Sequence, residues 1–129
     1  GVTQIDRIVD VFQAHQQGQA RAQLASSLLG VVSQRLLPKK GGGLVPAFEL
    51  MVANPAIRNL IRESKMHQAR GTMETSRRDG MRTMDMALRE LYENNLVEYE
   101  DVLRYLDNPR AIQGPGASGG GLPRRPGSR

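Results

Sequence analysis

The chain has 129 residues, no Cys, no Trp and only 4% aromatic side chains, so it is sized for one small domain whose core rests on Leu, Ile, Val, Met and Ala. The lack of Cys excludes disulfides and thiolate metal sites and suits a reducing compartment. No apolar run approaches the roughly 20 residues of a membrane span, and Gly1-Val2-Thr3-Gln4 lacks the charged-then-apolar start of a signal peptide, so a cytoplasmic protein is expected. The net charge of +5 gathers in residues 110–129, where Arg110, Arg124, Arg125 and Arg129 have no acidic neighbour. The rest is close to neutral and offers no basic face for nucleic acid.

In chain order, Thr3 and Asp6 resemble a capping box, and Ile5, Ile8, Val9 and Phe12 recur at helical spacing, predicting a helix over 4–12. A second helix is expected over 16–29, with Ala20, Leu24, Ser27 and Leu28 inward, Gly18 weakening its start and Gly30 stopping it. Val31–Leu37 and Leu44–Val52 are short apolar runs separated by Pro38-Lys39-Lys40-Gly41-Gly42-Gly43, a β-hairpin spanning 31–52. Asn54 and Pro55 then open a helix over 55–63, because Asn caps free amides and Pro at the first position gives up an N–H that has no partner anyway. Ile57, Leu60 and Ile61 share one face of it, while Arg58, Arg62 and Glu63 lie off that face. A thin stripe of Met66, Ala69 and Met73 predicts a helix over 65–78. Thr83 caps another over 83–93, with Asp85 in its first turn and Met84, Ala87, Leu88, Leu91 and Tyr92 inward. The last helix is expected over 99–106, with Val102, Leu103 and Leu106 inward. From Pro109 the composition turns to Gly, Pro, Ser and Arg, so 109–129 is expected to be a disordered tail after a folded body of 1–108. The six methionines are expected to fill gaps in the core.

The chain carries no catalytic constellation. No GxxxxGK[ST] segment occurs, and Gly41-Gly42-Gly43 precedes neither Ser nor Thr nor a helix, so it is a turn and not a phosphate cradle. His15 and His67 are far apart and lack an HExxH setting; Ser26-Ser27 lies inside a helix. No catalytic, cofactor-binding or metal-ligating residue is expected. On residues alone, the reading is a free-standing helical protein-interaction module without enzymatic activity.

The stretch Ala56-Ile57-Arg58-Asn59-Leu60-Ile61-Arg62-Glu63 reads AIRNLIRE and resembles the signature of the type IV pilus retraction ATPases, the PilT-like, twitching-motility family. The flanks are similar to that family in order and spacing: Ile5-Asp6-Arg7-Ile8-Val9-Asp10-Val11-Phe12, Gly30-Val31-Val32-Ser33-Gln34-Arg35-Leu36-Leu37-Pro38, Ala47-Phe48-Glu49-Leu50-Met51 and Thr83-Met84-Asp85. The likeness covers about residues 3–106. Ala69, Arg70, Gly71 and Thr72 depart from the family's bulkier pattern, and Ser64 and Asn95 stand at its usual glycine positions.

The resemblance implies the C-terminal helical part of a RecA-like P-loop ATPase domain, mostly α with one β-hairpin and lacking the nucleotide-binding core. The Walker elements, acidic box and histidine box would lie before Gly1. ATP and Mg are then implied for the parent protein and not for this chain, which is expected to be inactive alone. Related assembly and secretion ATPases carry a four-cysteine insertion, so zero Cys favours the retraction branch. The family further implies a homohexamer, contacts with the remainder of the ATPase chain and neighbouring subunits, and a place at the inner-membrane pilus base. It ties Ala56–Glu63 to retraction, not to ATP binding.

Overall fold

The computed structural model describes residues 2–115. Among them, helices accompany a single hairpin and leave one of its faces open: α1 (Val2–Asp10), α2 (Ala14–Ser27), β1 (Gly30–Pro38), β2 (Leu44–Val52), α3 (Pro55–Arg62), α4 (Ala69–Thr75), α5 (Met84–Glu93) and α6 (Tyr99–Leu103). Short 3-10 turns at Met66–Gln68 and Arg77–Asp79 flank α4. The strands pair antiparallel from Gly30↔Val52 to Pro38↔Leu44. Gly41, Gly42 and Gly43 all hold positive φ (87°, 116° and 79°) in the connecting turn, a backbone path that side chains with a Cβ rarely take.

Side chains alternate across a strand, so the hairpin has two distinct faces. The inner face feeds two cores. Met51 joins Ile5, Ala25, Ile57, Ile61, Met66, Ala69, Met73 and Met81. Leu37 and Ala47 join Met84, Ala87, Leu88, Val97, Val102, Leu106 and Ile112. Five of the six methionines are buried, as flexible unbranched side chains suited to filling irregular gaps. The outer face is also apolar: Val32 (64% exposed), Leu36 (48%), Leu44 (63%) and Phe48 (46%) meet solvent.

Several expectations shift. Helix α1 ends at Asp10, not 12, so Phe12 leaves the helical register; Ile5 and Val9 are buried while Ile8 and Phe12 stay half exposed. In α2 the fully buried residue is Ala25, with Leu24 and Leu28 packed at its border, and Ser27 is exposed, its hydroxyl turned back to the Gln23 carbonyl. The continuous helix expected over 65–78 is broken. Thr75 donates to the Thr72 carbonyl at 3.0 Å, and Ser76 leaves helical geometry at φ −110° and ψ 32°; hydroxyl side chains competing for backbone acceptors favour such ends. Helix α6 stops at Leu103, which is exposed, whereas Val102 and Leu106 are buried. The boundary of the folded part also moves beyond Pro109, because Ile112 packs in the second core. Residues 116–129, with Arg124, Arg125 and Arg129, lie outside the described residues.

Two helices end alike. Ser64 (φ 57°) follows α3 and Asn95 (φ 58°) follows α5, both left-handed. After α3, Lys65 N–H donates to Leu60 C=O at 2.8 Å and Ser64 N–H to Ile61 C=O at 3.3 Å; after α5, Leu96 donates to Leu91 at 3.0 Å and Asn95 to Tyr92 at 2.9 Å. This paired pattern is the Schellman motif, whose left-handed residue is most often Gly. Ser64→Gly should therefore raise stability by about 0.5–1 kcal/mol in urea melts, the relief of left-handed strain outweighing the added chain entropy. Asn95→Gly should gain less, because Asn95 Oδ1 accepts from Lys40 Nζ at 2.5 Å and anchors the hairpin turn.

Candidate functional site: the helix Pro55–Arg62

The most sharply built element is α3. Its start is fixed by Asn54, whose extended backbone precedes Pro55 at the first helical position and whose Oδ1 accepts from Ile57 N–H at 2.9 Å. The same side chain donates through Nδ2 to Asp79 Oδ2 at 2.9 Å and reaches Ser76 Oγ at 3.4 Å. One residue thus caps α3 and ties it to the segment after α4. Ile57 and Ile61, four apart, are fully buried, and Leu60 packs beside them. Each isoleucine contributes about 1.5–3 kcal/mol by leaving water.

The polar residues of the motif divide. Arg58 is half buried, and its Nη1 donates to the carbonyl of Ala25 in the last turn of α2. It does not face outward with Arg62 and Glu63, so these three do not form one presented surface. Arg62 is exposed and donates back to Asn59 Oδ1 at 2.7 Å. Glu63 is exposed and pairs with Lys65 at 3.3 Å. Ala56 and Asn59 are also exposed, so Ala56, Asn59, Arg62 and Glu63 line the open side. The inward turn of Arg58 has one trace in the sequence: α2 carries no basic residue in its last turn, leaving its terminal carbonyls in want of a cation.

Around the second core, two carboxylates act as backbone acceptors that sequence reasoning misses or only half places. Glu49, on the inner face of β2, accepts from Met84 N–H at 3.2 Å, while Thr83 Oγ1 accepts from Met86 N–H at 3.2 Å, so the start of α5 has two acceptors. Asp85 is more than a favourable charge near a helix start. It accepts from Asp107 N–H at 2.8 Å and Asn108 N–H at 3.0 Å, pinning the chain after α6. Neither pairing has a local sequence signal, since Glu49 and Met84 are brought together only by the fold.

Among the described residues, the glycine cluster does not form a phosphate cradle. Gly41–Gly43 is a closed hairpin turn, with Lys39 N–H donating to Gly43 C=O at 2.9 Å and no helix opening after it. Among the described residues, no group of three or more His, Cys, Asp or Glu could hold a metal ion. Among the same residues, no helix is long and apolar enough to cross a membrane.

No protein-family model matches the chain. Individual relatives do. The type IV pilus retractation ATPase PilT of Pseudomonas aeruginosa is 46% identical over 97 residues, covering 75% of this chain and 28% of the relative. A twitching motility protein of Neisseria gonorrhoeae is 41% identical over 109 residues, covering 84% of this chain and 29% of the relative. A solved structure of the pilus retraction motor PilT with bound ADP superposes with a TM-score of 0.75 at 43% identity, over 87% of this chain and 31% of that one. This chain is homologous to part of a PilT-type ATPase. It spans less than a third of the length of these PilT-type relatives. The ATPase DotB of Legionella pneumophila shares the fold at a TM-score of 0.62 and 14% identity.

The anchoring of α3 by Asn54 is open to measurement. Asn54→Ala should cost this chain about 1–2 kcal/mol in urea melts, the expected loss for an N-cap with a further bond to a carboxylate. Asp79→Ala should cost less. The double variant should cost less than the sum of the two, since both remove the same contact.

Proposed function

We propose that this chain is the C-terminal part of the ATPase domain of a hexameric motor that retracts type IV pili and drives twitching motility. The 46% identity to PilT carries this reading. In it, the motor works on the cytoplasmic side of the inner membrane at the pilus base. ATP and Mg are held by parts of the complete protein outside this chain, and α3 couples their turnover to retraction. The purified chain should then not hydrolyse ATP; robust turnover, with contaminants excluded, would overturn the reading. In the complete protein, Arg62→Ala combined with Glu63→Ala should keep most hydrolysis and abolish twitching. Normal motility in that variant would remove α3's open side from the mechanism.

The outer face of the hairpin supports the same reading. Val32, Leu36, Leu44 and Phe48 form an apolar surface on a two-stranded sheet, of the kind that marks a buried contact in a larger unit. In this reading the remainder of the ATPase chain covers it. Leu36→Glu with Phe48→Glu should leave the chain's circular dichroism and melting unchanged while lowering its binding of a hydrophobic dye. In the complete protein the same pair should sharply reduce soluble yield. A complete protein that tolerates both charges would show that this face stays in water.

A further inference from the structure

Helix α2 ends without a basic residue in its last turn, and the last carbonyls of any helix lack partners within it. Near this end, the Ala22 and Gln23 carbonyls accept from the hydroxyls of Ser26 and Ser27, and the Leu24 carbonyl accepts from Leu28 N–H. The Ala25 carbonyl is served from another element, by the guanidinium of Arg58. Ala25 itself is fully buried in the cluster that holds Ile57 and Ile61. A charged donor at a helix C-terminus both makes a strong hydrogen bond and opposes the negative end of the helix dipole. Arg58 is therefore the polar tie between two helices that otherwise meet through apolar contacts.

We infer that Arg58 is a positioning residue that locks the last turn of α2 to α3, so that displacement of the open side of α3 is passed to α2 and not absorbed between the two helices. This rests on the proposed role of α3 in retraction. It assigns Arg58 to transmission inside the molecule and leaves Asn59, Arg62 and Glu63 as the side offered to a partner. Arg58 and Arg62, one turn apart and alike in charge, thus have different work.

The structural half is tested on this chain by backbone amide exchange in Arg58→Ala, Arg58→Lys and Arg62→Ala. Arg58→Ala should speed exchange of Leu28 N–H, the last bonded amide of α2, by about tenfold, as expected for losing a charged hydrogen bond. Amides of α5 should not change, Arg58→Lys should recover part of the protection, and Arg62→Ala should leave α2 as it was. Unaltered Leu28 exchange in Arg58→Ala overturns the tie, whatever the protein does. The transmission half is tested in the complete protein by the ratio of twitching to ATP hydrolysed. Arg58→Ala should lower that ratio with hydrolysis retained, and Arg58→Lys should restore part of it; general destabilisation would instead lower both quantities together. A normal ratio in Arg58→Ala overturns transmission through Arg58. If Arg62→Ala with Glu63→Ala also twitches normally, the failure lies in the role given to α3; if that pair is defective, it lies with Arg58 alone.

Discussion

The inner face of β2 holds this molecule together. Ala47, Glu49 and Met51 alternate along it, and each binds a different part of the fold. Ala47 packs in the second core, Met51 packs in the first, and Glu49 holds the backbone at the start of α5. A shift of one residue in register would turn all three outward. The register is defended on both sides. Leu50 and Arg82 exchange two backbone hydrogen bonds at 2.9 Å beside β2, and Lys40 N–H donates to Leu96 C=O at 2.8 Å at the turn. A lone hairpin is marginal in water; here it is clamped between two helical clusters that would not otherwise share a wall.

Those clusters are joined by few polar bonds besides the hairpin. Arg70 on α4 pairs with Asp107 after α6 at 3.0 Å, both about half exposed, which limits the worth of that pair to about 1 kcal/mol or less. Asp85 holds the backbone at Asp107 and Asn108, so the loop that receives Arg70 is fixed from beneath. The sheet, which sends Met51 into one cluster and Leu37 and Ala47 into the other, is therefore the main connection between the two halves. Helix α3 belongs wholly to the first half, which sets it apart from α5 and α6.

What the sequence reveals follows the range of the interactions involved. The hairpin, the start of α3 and the caps of α5 depend on neighbours within a few residues: Pro38 to Gly43 for the turn, Asn54 and Pro55 for α3, Thr83 for α5. Periodicity likewise picks out Ile57 and Ile61, and Met66, Ala69 and Met73, all buried. It fails where the answer depends on what lies opposite. Ile8 and Leu103 sit at inward helical spacings, yet no element of the described chain covers them fully, and both stay exposed. Ile112 reads as tail by composition but finds a place in the second core because Asp85 turns the chain back after α6. Arg58 reads as a surface charge because its acceptor, the Ala25 carbonyl, lies 33 residues away and has no side-chain signature.

The two arginines of α3 show how one charge type divides under helix geometry. Helical side chains lean toward the N-terminus of their own helix. For Arg62 this lean leads back to Asn59, one turn earlier and still in solvent. Arg58 is one turn nearer the start and lies over the end of α2, where a carbonyl awaits a donor. The bonds differ in how readily they are given up. An exposed contact such as Arg62–Asn59 or Glu63–Lys65 contributes about 0–1 kcal/mol, so an incoming partner can take those side chains with little loss to the fold. A half-buried guanidinium on a backbone carbonyl contributes about 1.5–3 kcal/mol, and its loss strands an acceptor in the interior. The open side of α3 is thus chemically available while its footing is not.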